Sequence, residues 1–293
     1  MSSNNKYFSI RLINLISLSL VFFIMGCERH IISTSSISTL VIFNNPSPAK
    51  KTIIPITTAV IPIGQQQYTT TVVITITQSI TQTEIIHYLL YLPGDYGKDI
   101  TRRWPLILYL HGSGERGTDL NLLKTEPLPK TLEQQKDFPF IVISPQLVND
   151  GMEWSPMIRP LDELLNLIQH QYAVDQKRIY LTGVSMGGFG TWEFALRYPG
   201  RFAAIVPIAG GYIYQSNVVP ANICNLKELP IWVFHGGLDD LVLPIQSEIL
   251  INALKECNGD IRFTIFSELG HNVWTRAYAD PELYKWLLLQ TIK

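Results

Sequence analysis

Charge is scarce in this sequence, and neither sign dominates. Lysine and arginine number 23 against 24 aspartates and glutamates, a formal net charge of −1. No basic stripe is present, so the electrostatic footprint of a nucleic-acid partner is missing and none is expected. The six histidines never fall into H-E-x-x-H, the three cysteines do not cluster, and His111, His235 and Asp239 do not make a metal-ligand spacing. No metal site is therefore expected. Neither a phosphate-cradling Walker stretch nor a dinucleotide fingerprint occurs, which argues against a nucleotide cofactor, and no other cofactor is expected. No internal repeat is visible.

What is present begins with an export signal. Lys6 and Arg11 make a basic start, and residues 12–25 are almost uninterruptedly apolar. At about 14 residues that run is short of the roughly 20 needed to cross a bilayer as a helix. It ends in Ile24-Met25-Gly26-Cys27, which resembles the lipobox of bacterial lipoproteins and implies lipidation at Cys27. The plainer alternative is a secretory signal with a chance cysteine. The expectation is a protein exported and lipid-anchored to a bacterial membrane, on the periplasmic or the cell-surface face. Cys224 and Cys257 would then lie in an oxidising compartment, where a disulfide is permitted but proximity is not known from sequence.

Three segments follow from composition: residues 1–26 as the signal, 27–63 as a tether and 64–293 as the catalytic domain. The tether is rich in serine, threonine and proline and has no helical period. Beyond it, residues 69–77 and 85–92 alternate as strands do. A wholly apolar run at 106–110, and runs of similar character at 140–144, 179–182, 203–208, 231–234 and 263–266, suit buried parallel strands. Helical patterns at 161–172, 188–198, 245–255 and 281–290 lie between or after them. Strands alternating with helices predict an α/β sheet covered on both faces, with ligands at the carboxyl ends of the strands.

The most informative stretch is RIYLTGVSMGG, residues 178–188. A β-branched and apolar run stops at Gly183, Ser185 stands between small residues, and a helix-forming segment follows at once. Strand, G-x-S-x-G and helix in that order read as a nucleophile elbow, with Gly183 and Gly187 required sterically by the tightness of the turn. A serine hydroxyl needs a base, and the base needs a carboxylate to orient it. If acid and histidine follow the serine in chain order, only His271 lies behind both the elbow and an acid-bearing loop. That loop, HGGLDDLVLP, offers the adjacent carboxylates Asp239 and Asp240, which cannot both face one imidazole. His235, in the same loop, reads as a structural residue at a strand end. Backbone N–H groups of Met186 and of Ser113, with Gly114 next, are the expected oxyanion donors. Glu115 and Arg116 are expected to brace the oxyanion loop without transferring protons.

YLHGSGERG, GVSMGGFGTWEFALRYPGRFAAIVPIAGG, IWVFHGGLDD and GHNVWTRAYADPELYKWLL together resemble the bacterial α/β-hydrolase esterases often labelled predicted peptidases. These are related to the phospholipase/carboxylesterase, dienelactone hydrolase and polyhydroxybutyrate depolymerase-like groups. The resemblance runs from Tyr88 to the C-terminus. It implies an α/β-hydrolase fold with a mostly parallel eight-stranded sheet, and a triad of Ser185, Asp239 and His271, with Asp239 in the H-G-x-x-D place. Trp154, Trp274 and Tyr212 are candidates for the substrate pocket, with core packing the equal alternative for Trp154.

The function expected is a serine carboxylic-ester hydrolase that passes through an acyl-enzyme on small acyl or aryl esters. A serine peptidase of similar fold, or a non-catalytic surface lipoprotein, is the alternative. The partners expected are a small-molecule ester and, through the lipid anchor, a membrane. Oligomeric state is left open.

Overall fold

The computed structural model describes residues 62–77 and 80–293. The signal segment, Cys27 and nearly all of the tether lie outside the described residues. Eight strands form one sheet in the order β1-β2-β4-β3-β5-β6-β7-β8. They are β1 (Gly64–Thr77), β2 (Ile80–Leu92), β3 (Trp104–Leu110), β4 (Ile141–Gln146), β5 (Val174–Val184), β6 (Ala204–Ile208), β7 (Ile231–Gly236) and β8 (Ile261–Phe266). β2 runs antiparallel to both of its neighbours, and every pairing from β4 onwards is parallel.

The apolar runs are strands because both faces of the sheet are covered. Along β3, Leu106, Leu108 and Leu110 enter one core while Ile107 and Tyr109 enter the other, the two-residue alternation of a pleated strand. The first core packs beneath α2 (Trp154–Gln171), α3 (Met186–Arg197) and α4 (Ile245–Glu256). The second packs beneath α1 (Pro127–Gln134), α5 (Trp274–Ala279) and α6 (Pro281–Leu289). β8 differs from the central strands: it is an edge strand, and none of its residues is fully buried.

Two helices go beyond the sequence pattern. α1 holds Pro127 and Pro129, yet proline at the first helical position loses no bond, because that N–H has no helical partner anyway. α5 is only six residues long, too short to show a period. α2 also starts earlier than its pattern does, at Trp154, because Pro156 and Pro160 mask its first turns.

Cys224, in a 3-10 turn, and Cys257, the C-cap of α4, form a disulfide with Cα atoms 5.6 Å apart and a sequence separation of 33. Closing a loop of that length restricts the unfolded chain by about 3–4 kcal/mol in the chain-entropy account. The double variant Cys224→Ser/Cys257→Ser is expected to lose about 2–4 kcal/mol of stability, read from its urea midpoint beside that of the oxidised wild type.

Candidate active site

The site forms where β3, β5, β7 and β8 end. At the end of β5 the chain turns through Ser185, whose φ of 53° and ψ of −117° make it one of few non-glycine residues with positive φ. Such a backbone costs on the order of 1–3 kcal/mol and persists only where its surroundings over-determine it. Here they do. Ser185 N–H donates to the Ile208 carbonyl (2.9 Å), and the Ser185 carbonyl accepts from Gly188 (2.8 Å) and Phe189 (3.1 Å) as α3 begins. A Cβ on Gly183 would stand 2.3 Å from the Gly187 carbonyl oxygen, and one on Gly187 would stand 2.0 Å from the Leu110 carbonyl oxygen. Close approach, rather than unusual dihedrals, excludes side chains from both positions.

The loops after β7 and β8 are also joined main chain to main chain. Gly237 N–H donates to the Phe266 carbonyl (2.8 Å), and Leu238 N–H to that of Leu269 (2.9 Å). This brings Asp239 and His271 together: His271 Nδ1 lies 2.8 Å from Asp239 Oδ2, and His271 Nε2 lies 2.9 Å from Ser185 Oγ. Asp240 is exposed, and Asp239 is buried. The other oxygen of Asp239, Oδ1, accepts from the N–H groups of Leu241 (3.0 Å) and Val242 (2.9 Å). Burial by itself would raise this carboxyl. Hydrogen bonds from His235, His271 and Val242 outweigh burial and hold it well below the usual carboxylate range.

His235 is fully buried. Its Nδ1 meets Ser247 Oγ (2.8 Å), and its Nε2 meets the Val242 carbonyl (2.8 Å) and Asp239 Oδ2 (3.2 Å). Nε2 faces two acceptors and so carries the proton. His235 is thus a strand-end residue that also supports Asp239, a contact no spacing in the sequence announces.

Across the cleft, the loop after β3 is held from several sides. His111 Nδ1 bonds the Gly112 carbonyl (2.5 Å), its Nε2 accepts the Leu147 N–H (3.0 Å), and Trp154 Nε1 donates to the His111 carbonyl (3.0 Å). Burial lowers His111 to about 4, so it is neutral near pH 7. Arg116 donates to the Met152 carbonyl (2.7 Å) and to Met186 Sδ (2.9 Å), tying the loop to the residue after Ser185. Ser113, Ser185, Met186 and His271 all line a single cavity of about 810 Å³.

Of the three pocket candidates, Tyr212 lines this cavity. Trp154 does so while only 1 % exposed, its ring edge-on to His111 at 4.8 Å, so packing and lining coincide in it. Trp274 is not among the lining residues. It starts α5, packs against the second core and stands edge-on to the His271 ring at 5.1 Å, because the helix turns it behind the imidazole. It supports the histidine and does not contact the cavity. Phe189 on α3 and Ile213, Tyr214 and Leu241 on loops complete the apolar wall; no periodic pattern in the sequence marks the three loop residues.

The model of the phospholipase/carboxylesterase family matches residues 127–281, more than half of the chain and a span that includes Ser185, Asp239 and His271. The chain belongs to that family. It is similar to a bifunctional acetylxylan esterase/xylanase of Neocallimastix patriciarum, 24 % identical over 186 residues, covering 62 % of this chain and 26 % of that protein. It is also similar to a carboxylesterase of Arabidopsis thaliana, 25 % identical over 189 residues, covering 57 % of this chain and 83 % of that one. Among solved structures, that of a thermostable esterase superposes with a TM-score of 0.58 at 29 % identity, covering 76 % of this chain and 63 % of the other. The chain thus spans about a quarter of the xylanase-linked relative and under two thirds of the thermostable esterase. As in the family, the fold is an α/β-hydrolase fold.

Two outcomes test this geometry. Gly187→Ala forces a methyl into a backbone carbonyl and is expected to destabilise the fold by about 3 kcal/mol, measured by urea unfolding. Asp239, held low when folded, contributes stability above its unfolded value of about 3.9 and loses that contribution as the pH falls. The urea midpoint of wild type is therefore expected to drop more steeply with acid below about pH 4 than that of Asp239→Asn.

Proposed function

We propose that the protein is a serine carboxylic-ester hydrolase that works through an acyl-enzyme. The observation that carries this reading is the unbroken hydrogen-bonded line from Ser185 Oγ through His271 to the buried Asp239, opening into the cavity. Ser185 Oγ attacks the ester carbonyl while His271 Nε2 takes its proton, and Asp239 holds the Nδ1–H tautomer and offsets the imidazolium charge. The tetrahedral oxyanion is received by the N–H groups of Met186 and Ser113. His271 then returns the proton to the leaving alcohol. Water, activated by the same imidazole, releases the acid and restores Ser185.

Small acyl or aryl esters fit the cavity best. Phe189, Ile213, Tyr214 and Leu241 offer apolar contact to an acyl or aryl group, and Arg116, Glu153, Ser155 and Glu193 make the remainder polar. Acetylxylan and carboxylic-ester hydrolases among the relatives support the same class. Export and lipidation at Cys27 belong to this proposal and rest on the basic start, the apolar run and the resemblance to a lipobox.

The test is turnover of a chain-length panel of p-nitrophenyl and feruloyl esters beside dipeptide amides. Ester turnover is expected to exceed amide turnover, and Ser185→Ala to lower kcat by about 10⁴-fold or more. His271→Ala should match it, and the double variant should be no worse than either single one. Turnover persisting in Ser185→Ala would remove the mechanism, and amide turnover above ester turnover would make the protein a peptidase.

A further inference from the structure

The cavity that holds Ser185 continues along α3. Ser185, Phe189 and Glu193 all line it, and their spacing of four residues puts them on one face of the helix. At the usual rise per residue, Glu193 stands about 12 Å along the helix axis from Ser185, with Phe189 halfway. Helical side chains lean toward the N-terminus, so both lean back toward the serine. Tyr214 meets the Phe189 ring edge-on at 5.9 Å, which makes the middle of this track aromatic. At its far end the start of α2 closes in. Gly190 lies so near that a Cβ would stand 2.7 Å from Trp154 Cβ, and this approach sets Ser155 beside Glu193.

That far end accepts hydrogen bonds and offers few. Ser155 Oγ donates to Glu193 Oε1 (2.5 Å), and Arg197 donates to the same oxygen (2.7 Å) and to the Ser155 carbonyl (3.3 Å). The single hydroxyl proton of Ser155 is thereby used, while its oxygen keeps acceptor capacity. Glu193 Oε2 accepts from none of the described residues. Glu153, beside it in the lining, brings a carboxylate that makes no cap bond to α2. Arg116, the arginine of the lining, is engaged on the Met152 carbonyl and Met186 Sδ.

Sheet order decides which half of an ester follows this track. β7 and β8, which lead to Asp239 and His271, lie on one side of β5, whereas β3 and β4 lie on the other, and α2 follows β4. A leaving oxygen must face His271 Nε2 to receive its proton. The acyl group therefore extends away from His271, toward α2 and Glu193. We propose that Glu193 and Ser155 are specificity-determining residues, which select an acyl group with a hydroxyl at its far end and an aryl ring between that hydroxyl and the ester carbonyl. The ring lies against Phe189 and Tyr214, and the hydroxyl donates to Glu193 Oε2. The proposal rests on the reading of Ser185 as the nucleophile of an ester hydrolase.

Length and charge both agree with such a group. A para-hydroxyaryl ring on a two-carbon chain, with a hydrogen bond of about 2.8 Å at its end, spans about 11 Å from the carbonyl carbon. An acetyl group stops short of Phe189 and gains nothing from Glu193. A neutral donor suits the place better than a cation, because Arg197 already offsets the carboxylate. An acyl group that ends in a carboxylate meets acceptors there and is rejected. The Glu193 side chain is 24 % exposed, so water replaces a missing hydroxyl, and the selection is about tenfold instead of the far larger ratio of a sealed site.

The experiment measures kcat/KM for methyl phenylpropanoate and its para-hydroxy, para-methoxy, para-carboxylate and para-aminomethyl derivatives, the last a cation at neutral pH, with Ser185→Ala as blank. Wild type is expected to favour the para-hydroxy ester over the para-methoxy one by about tenfold and to turn over the para-carboxylate least. Glu193→Ala brings the hydroxy-to-methoxy ratio to about one. Ser155→Ala, which removes a donor that orients the carboxylate, lowers the ratio about two- to threefold and serves as the test if Glu193→Ala does not fold. A wild-type ratio near one, a ratio unchanged in Glu193→Ala, or a para-aminomethyl ester preferred to the para-hydroxy one overturns the proposal. Absence of Ser185-dependent turnover of every ester would instead remove the reading of the site. Calorimetric binding of the para-hydroxy and para-methoxy esters to the Ser185→Ala protein would then decide the selection: tighter binding of the hydroxy ester by about tenfold supports it, and equal binding sinks it.

Discussion

The site depends on a contact that leaves no room for a side chain. Gly187, the second residue of α3, lies against the carbonyl end of β3, and Gly183 lies against Gly187 in turn. These approaches hold the Ser185 turn against the strand from which the loop of residues 111–116 departs. Ser185 keeps its uncommon backbone with its N–H bonded to the Ile208 carbonyl and its own carbonyl bonded to the start of α3. The Ser185 turn and the loop after β3 are thereby fixed against one another, the preorganisation that the proposed stabilisation of a developing charge requires.

Around that turn and loop the protein sorts its charges by burial and by donors. Asp239 is buried and yet ionised, because two imidazoles and two backbone N–H groups converge on it. His111 is buried and neutral, because burial disfavours its charged form more than the bond to the Gly112 carbonyl favours it. Glu126 is buried and raised, by that burial first and by the charge of Glu115 second. Three titratable groups at comparable depth therefore take three different protonation behaviours, each set by what its immediate neighbours offer.

Much of this was legible before any coordinates, and the reasons are particular. Ser185 and His271 were readable because a tight turn needs glycines at fixed offsets and because chain order eliminates the other five histidines. Asp239 and Asp240 were inseparable from the residues alone. Their difference is one of exposure, and the H-G-x-x-D resemblance was needed to choose. The β-strands were plain because burial on both faces leaves continuous apolar runs, whereas α1 was hidden by its prolines. Glu126 and the His235–Asp239 contact were invisible because they arise where separate elements meet, and no spacing encodes that meeting. Trp274 read as a pocket residue because proximity to His271 in sequence says nothing about which side of the ring it takes.

The imidazole at residue 271 stands just beyond β8, and β8 is bonded on one side only, with none of its residues fully buried. Outer strands with so little covered surface are the first to open, at a free-energy cost well below that of unfolding the whole domain. Opening of this margin would carry the imidazole away from Ser185 while the inner strands stay paired. The molecule can fall silent while its inner strands, and the spectroscopic signals they dominate, remain intact.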